Sequence, residues 1–208
     1  MTILLIRHGE TVDNASRIFQ TPSSPLSENG NDQAEKLSLR LAKANITDII
    51  CSDYIRTRET ASYTAEKIGV EPIYTDLLRE RNFGRLRGLP YAELDFDPFA
   101  LNYQPDNGEG WPAFHQRITD AWGLIVATSA VAKGDVLVIT HGFVCQAIVS
   151  NHALLENNCR VPERWGNTSV TEINSEPPWR VTTLNCSAHL HEPLDNPSSD
   201  RGERHGQA

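Results

Sequence analysis

Two histidines in this sequence stand where chemistry is feasible. His8 lies in Arg7-His8-Gly9-Glu10-Thr11 and His141 in Thr140-His141-Gly142; each follows a short apolar run and precedes a glycine. Glycine after a strand end lets the backbone turn sharply and approach a ligand closely. Arg7 and His8, with the backbone N–H groups that follow, are suited to surrounding a tetrahedral anion. A third segment, Ser52-Asp53-Tyr54-Ile55-Arg56-Thr57-Arg58, puts Arg56 in the first turn of a helix, where free N–H groups and the helix dipole already favour negative charge. A fourth, Arg79-Glu80-Arg81-Asn82-Phe83-Gly84-Arg85-Leu86-Arg87-Gly88, sets one carboxylate among four arginines. Taken singly, each has a plain structural explanation: a hydrogen-bonded histidine in a turn, a surface pair of Arg56 with Asp53 or Glu59, a solvated run of charge.

Positioning such groups requires a folded domain, and the composition is that of one. The chain has 208 residues, 39% hydrophobic and 22% charged. That length and balance suit a soluble domain with a substantial core. The apolar runs Ile3–Ile6 and Val136–Ile139 are far too short to span a bilayer. The start of the chain lacks the basic lead-in and cleavage site of a secretory signal. Four cysteines without a CxxC motif fit a reducing cytoplasm better than a disulfide or zinc framework. A net charge of −8 argues against nucleic acid or an anionic membrane as partner. The basic residues are nevertheless skewed, 15 Arg to 4 Lys. Forked guanidinium groups in an acidic protein suggest a small oxyanion pocket.

Hydrophobic periodicity supplies the elements. Thr2–Ile6, Asp48–Cys51, Ile73–Leu77 and Asp135–Thr140 are predicted strands. Ser27 caps a helix to about Ala44, with Ala34, Leu37, Leu41 and Ala44 on one face. Ser52 is expected to cap a second over Ile55–Ile68, ending at Gly69. A third covers Trp111–Ser129, buried through Phe114, Ile118, Trp122 and Ile125, and a fourth about 143–154. Residues 13–26 read as loop, and 168–173 with 179–184 as a hairpin or two adjacent strands. The alternation predicts an α/β fold, a three-layer α/β/α sandwich with a mainly parallel sheet and a short lid insert over about 89–110. A single domain over 1–190 is expected, with a flexible tail over 191–208. Strand C-termini gathered on one edge would bring His8 and His141 together there.

In combination the segments resemble the histidine phosphatase superfamily, in the branch of cofactor-dependent phosphoglycerate mutases and many small-molecule phosphatases. The matching residues are Leu5–Thr11, Asn14, Arg17–Gln20, Pro25–Ala34, Ser52–Arg56 with Thr60-Ala61, Glu80 with Phe83-Gly84 and Gly88, Gly108-Glu109 with Arg117, His141-Gly142 and Asn167–Thr171. They occur in the family's order over about residues 2–185.

The resemblance implies a metal-independent phosphatase that hydrolyses a small phosphate monoester, the phosphorylated metabolite being its partner. By analogy His8 is the nucleophile that becomes a phosphohistidine. Arg7, Arg56 and His141 hold the transferring group, and Glu80 is the general acid and base, with Glu109 the runner-up. In another branch the acid directly follows the second histidine; Gly142 stands there, which favours Glu80. Gly9, Asn14, Arg17, Gln20 and Gly142 complete the substrate-binding set. No cofactor and no metal is implied, and a homodimer is left open. Alternatives are a phosphoglycerate mutase and a catalytically silent phosphate-binding domain. Departures from the family pattern are Thr21 for a usual Gly, Glu59 for a frequent Gln, and Leu86-Arg87 for an aromatic–acidic pair. Arg58, Arg85 and Arg87 are candidates to read an anionic handle on the substrate. Tyr91, Phe96, Phe99, Tyr103 and Trp111 are candidates for an aromatic wall. Residues 95–109 contain Asp95, Asp97, Asp106 and Glu109 with no Arg or Lys. Such a lid is expected to repel a bisphosphate cofactor.

Overall fold

The computed structural model describes residues 1–156 and 159–191, so the tail expected over 191–208 lies outside the described residues from 192 onward. Strands β1 (Thr2–Arg7) and β4 (Asp135–Thr140) are short apolar hexapeptides. Successive strand side chains point to opposite faces. Ile3 and Leu5, with Val136 and Val138, therefore pack against Phe114, Ile118, Ile125 and Ile148, whereas Leu4 and Ile6, with Leu137 and Ile139, pack against Leu37, Leu41 and Ala61. Helices α2 (Glu28–Leu41) and α3 (Ile55–Ile68) cover one face, and α4 (Trp111–Val131) and α5 (Gly142–His152) the other. The three-layer arrangement follows from that two-sided burial.

The sheet also contains β2 (Ile46–Ser52), β3 (Pro72–Thr75), β5 (Val170–Asn174) and β6 (Val181–Cys186), in the order β3-β2-β4-β1-β5-β6. The β3, β2, β4 and β1 pairings are parallel, while β5 runs antiparallel to β1 and β6 to β5. Not every strand therefore ends on one edge: the chain enters β5 where β1 leaves. The Thr168 N–H donates to the Arg7 carbonyl at 3.0 Å there. In the β1–β4 register Arg7 lies opposite Thr140, and the His8 N–H extends that ladder to the Thr140 carbonyl at 2.9 Å.

Local chemistry explains where boundaries shift. Ser27 caps α2 by accepting the Gly30 N–H at 3.0 Å, as the sequence predicts. The helix stops at Leu41 instead of Ala44, because the Ala44 N–H turns back to the Leu41 carbonyl and the chain enters β2 at Ile46. Gly69 closes α3 in the left-handed region (φ 71°). Ser52 does not open that helix: Tyr54 is the N-cap residue, and Ser52 is the last residue of β2. Thr75 accepts the Leu77 N–H and starts a 3₁₀ turn, which cuts the expected 73–77 strand to four residues. Thr11 caps one short helix, α1 (Val12–Ala15), inside the expected loop.

The segment 89–110 is irregular apart from a 3₁₀ turn at Tyr91–Glu93. Arg81, buried on the core side, ties it down. Its guanidinium donates to the Glu109 and Tyr103 carbonyls at 2.9 and 3.0 Å and lies 3.9 Å from the Trp111 ring centroid. A charge this deep persists only when its donors are satisfied.

Two glycines set the close approach of α2 to the loop after His8. A Cβ on Gly30 would lie 2.0 Å from the Glu10 carbonyl oxygen, and one on Gly9 would lie 2.7 Å from the Gly30 oxygen. Gly30→Ala is expected to cost ~1–3 kcal/mol in urea unfolding by overpacking. Gly123→Ala, on the open side of α4 with nothing within 4 Å, should instead add up to about 1 kcal/mol.

Candidate active site

The parallel register delivers the two imidazoles to each other. His8 and His141 have ring centroids 5.2 Å apart, in an edge-to-face arrangement, and both are almost wholly buried. The His8 Nδ1–H donates to the Gly9 carbonyl at 2.6 Å, which leaves Nε2 with its lone pair, 3.3 Å from Arg56 Nε. His141 Nε2 hydrogen-bonds the Ser52 hydroxyl at 2.9 Å. Ser52, expected as a helix cap, thus orients the second histidine from the end of β2.

Arg7 and Arg56 bracket the pair. Arg7 donates through one terminal nitrogen to the Trp165 carbonyl and through the other to Asn14 Oδ1 at 3.4 Å. Arg56 is 1% exposed and donates to the Thr21 carbonyl at 2.9 Å. It makes no surface pair with Asp53 or Glu59: Asp53 accepts from Arg79 Nε at 2.7 Å, and Glu59 from the Leu26 N–H at 2.7 Å. Thr21 meets Arg56 through its backbone, and its hydroxyl bonds Ser23 and Ser24, so the extra side chain at this position points away from the floor.

Burial dominates the protonation states. Desolvation, then the charges of Arg56 and Arg7, hold the His8 pKa well below the usual imidazole value. His141 is held down by burial, Arg56, His8 and Arg7. Both rings are neutral at pH 7. Arg56 is pushed down to about 10 by burial and stays cationic. Glu80 Oε1 accepts the Arg81 N–H at 3.0 Å and Oε2 the Phe143 N–H at 3.2 Å. Burial raises its pKa; those two bonds, Arg56 and Arg7 oppose the rise. The side chains of its sequence neighbours have other partners: Arg79 pairs with Asp53, and the Arg81 guanidinium serves the lid carbonyls. Glu109, the runner-up acid, is held by Arg117 in a two-pronged pair at 2.8 and 2.6 Å.

Above this floor opens a cavity of about 690 Å³, lined among others by Arg7, Asn14, Arg17, Gln20, Arg56, Glu80 and Gly142. These seven are brought together as the sequence predicts. His8 and His141 are not among the lining residues; both are buried next to it, His8 with Arg56 Nε 3.3 Å from its Nε2. Gly9 does not reach the cavity. Its N–H donates to the Thr60 hydroxyl at 3.0 Å and the Glu10 N–H to Gln33 Oε1 at 2.9 Å, so the backbone donors expected around an anion are already engaged elsewhere. Arg7 Nε and His141 Nδ1 are buried and have no protein partner.

The outer residues divide. Arg87 lines the cavity and donates to the Tyr54 hydroxyl at 2.8 Å. Arg58 instead lies over Tyr74, and exposed Arg85 pairs with Asp106 at 3.2 Å, so neither borders the cavity. Of the expected aromatic wall only Tyr91 and Phe99 take part; Phe96 packs on Tyr103 and Trp111 against Phe114. Phe19, Tyr54, Phe83 and Phe143 join the lining, as do Glu163, Arg164 and Trp165. Trp165 in a polar loop was the available signal for that last segment. None of the four lid acids lines the cavity: Asp106 and Glu109 are paired with arginines, Asp97 accepts the Phe99 N–H, and Asp95 is exposed outside the lining.

Among the described residues no three His, Cys, Asp or Glu side chains gather into a metal-binding group, and no helix is long and apolar enough to cross a membrane. His189 sits between the Thr168 hydroxyl and Arg40.

Comparison with known proteins gives the chain its family. The chain matches the histidine phosphatase superfamily (branch 1) over residues 3–187, and it belongs to that family of phosphate-hydrolysing enzymes. It is 32% identical to a protein of Schizosaccharomyces pombe named "probable phosphatase", over 92% of this chain and 91% of that one. It is 30% identical to a Yersinia enterocolitica protein named "probable phosphoglycerate mutase GpmB", over 98% and 100%. The fold is shared with a mycobacterial glucosyl-3-phosphoglycerate phosphatase at a TM-score of 0.72 and 24% identity, covering 89% of this chain and 98% of that one.

The depressed histidine pKa values carry a stability signature. Between their folded values and the ordinary ~6.5 the unfolded chain binds more protons, so stability falls as pH drops below about 6.5. Glu80, raised in the fold, acts oppositely: its contribution is lost as pH rises through its folded value. The urea midpoint is expected to fall between pH 7.5 and 5.5, and to fall less in the His8→Asn/His141→Asn double variant.

Proposed function

We propose that the chain is a metal-independent phosphatase that hydrolyses a small phosphate monoester through a phosphohistidine on His8. The observation that carries this reading is a neutral imidazole, its tautomer fixed by the Gly9 carbonyl, beside two buried polar atoms without partners, Arg7 Nε and His141 Nδ1. Phosphoryl oxygens would accept from Arg7 Nε–H, and from His141 Nδ1–H in the tautomer whose Nε2 accepts from the Ser52 hydroxyl. They would also take up the Arg56 donor that now rests on His8 Nε2.

His8 Nε2 attacks phosphorus, the bond to the ester oxygen breaks, and Glu80 gives that oxygen its proton. Water then attacks phosphorus, Glu80 takes a proton from it, and the P–N bond breaks to release phosphate and neutral His8. The Nδ1–H stays on the ring throughout, stabilised by the Gly9 carbonyl when the phosphorylated ring is cationic. Phosphoryl transfer depends chiefly on positioning and charge stabilisation. Arg7 and Arg56 supply the charge on the cavity floor. Burial of Glu80 and the arriving dianion both favour the protonated acid needed in the first step.

A mutase reading draws on the GpmB-named relative that aligns along nearly the whole chain. It differs in the second acceptor, an alcohol in place of water.

Two assays test the proposal. With labelled phenyl phosphate and a neutral or basic quench, label should stay on the wild-type protein and not on His8→Ala, with turnover unaffected by EDTA. Absence of trapped label, or loss of activity in EDTA, refutes it. A bisphosphoglycerate-primed mutase assay yielding faster isomerisation than hydrolysis would favour the second reading. Glu80→Gln should lower kcat roughly 10²–10⁴-fold for alkyl phosphates. The loss should be smaller for 4-nitrophenyl phosphate, whose leaving oxygen needs little protonation.

A further inference from the structure

The outer half of the cavity is not required for phosphoryl transfer, yet it is built from two distinct surfaces. One is aromatic. Phe19 packs against Tyr91 and Phe83 with centroids 4.3 and 5.0 Å apart, and Phe99 against Phe83 and Phe143 at 5.7 and 5.6 Å. All five rings border the cavity. The other surface is cationic. Arg17 comes from the loop after α1 and Arg164 from the segment leading into β5; both are exposed, both line the cavity, and among the described residues neither pairs with a carboxylate within 4 Å.

Arg17 is fixed with care. Its backbone is left-handed (φ 55°), a conformation unfavourable for a side chain of this size. It is held there by its N–H on the Asn14 carbonyl and its carbonyl on the Tyr91 N–H. Strain of this kind persists where the surroundings impose it, and concentrates at functional sites. The Tyr91 hydroxyl reports the spacing: burial and Glu80 raise its pKa, while Arg7, Arg17 and Arg164 pull it down. The tyrosine, which lines the cavity, is thus within reach of charges from both the phosphate floor and the outer arginines. Next to Arg164, Trp165 is 3% exposed and its indole N–H has no partner, although the residue borders the cavity. Glu163 shares this rim and offsets one charge; Arg17, Arg87 and Arg164 still outnumber it.

Resting on the phosphatase reading above, we infer that the substrate is a phosphomonoester whose alcohol part carries an apolar, ring-sized body and a second anionic group, the body lying on the aromatic wall and the anion between Arg17 and Arg164. Rings favour offset or edge-on contact with other rings. Two unpaired guanidiniums at a cavity mouth bind a planar carboxylate or a phosphate in a forked geometry.

The test uses non-hydrolysable probes, so that it stands apart from catalysis. Titration calorimetry on the full chain compares phenylphosphonate, 4-phosphonobenzoate, 1,4-phenylenebisphosphonate and the ring-free 3-phosphonopropionate. The two ring-bearing probes with a second acidic group should bind at least tenfold more tightly than phenylphosphonate and than 3-phosphonopropionate. Whichever of the two binds better identifies the outer group as carboxylate or phosphate. In Arg164→Gln the advantage over phenylphosphonate should fall at least fivefold, with Arg164→Lys recovering part of it. Arg180→Gln, on the far strand edge, should keep it and so control for net charge. Equal binding of phenylphosphonate and 4-phosphonobenzoate, a preference for 3-phosphonopropionate, or an advantage unchanged in Arg164→Gln overturns the inference. Failure of phosphohistidine trapping with this binding pattern intact would refute the phosphatase reading and leave the clamp standing.

Discussion

The pairing of β1 with β4 governs the site. Parallel strands bury both faces, so the register is fixed twice over, by Ile3 and Leu5 on one side and Leu4 and Ile6 on the other. A slip of one residue would turn every one of these side chains to the wrong layer. With that register Arg7 stands opposite Thr140, and the next residue of each strand is a histidine. The two rings meet without any contact needed to draw them together. β2, on the far side of β4, ends alongside, so Ser52 reaches His141 and the following helix carries Arg56 to His8. β5 runs the other way and brings Asn167 to the His8 carbonyl at 3.0 Å.

The same burial that fixes geometry sets charge. Two guanidiniums beside two imidazoles in a dry floor force both rings to be neutral, since further positive charge there is opposed by desolvation and repulsion alike. The guanidiniums themselves are tolerated because they donate to the Trp165 and Thr21 carbonyls. Among the described residues, Glu80 is the one carboxylate whose field acts on both Arg7 and Arg56. An incoming phosphate therefore enters a floor already biased toward negative charge, and its arrival works against ionised Glu80. In the proposed reaction, binding and proton delivery are coupled through one set of charges.

Much of this was legible in the sequence, and for identifiable reasons. Strands and helices with strict periodicity, such as β4 and the Phe114–Ile118–Trp122–Ile125 face of α4, are found because burial writes the pattern directly. Strand ends followed by His-Gly point to the floor. What the sequence hides are partners chosen in three dimensions. Ser52 has the right type and place for a cap, yet one more strand residue commits it to His141. The Arg79-Glu80-Arg81 triplet leaves open where the two guanidiniums go; one turns to Asp53 and one to the lid carbonyls. Gly9 invites a phosphate to its N–H, which Thr60, fifty-one residues on, has already taken. Arg164 and Trp165 lie in a loop with no period at all, and only the antiparallel entry into β5 carries them to the cavity.

The lid shows why composition alone misleads about selectivity. Four acids over 95–109 suggest a negative face, yet a pair 2.6–3.2 Å from a guanidinium presents little net field at a distance. Asp106 and Glu109 are such pairs, and Asp97 is turned to a backbone N–H. What faces a ligand is instead the aromatic surface beneath the lid and the arginines at its edge. Apolar walls lower the local dielectric, so each guanidinium bordering them acts on an anion more strongly than it would in water. Under the proposed reading, discrimination among phosphate esters depends on how a leaving group divides itself between those two surfaces. The acidic residues act at one remove, by holding the lid in the place where the surfaces meet.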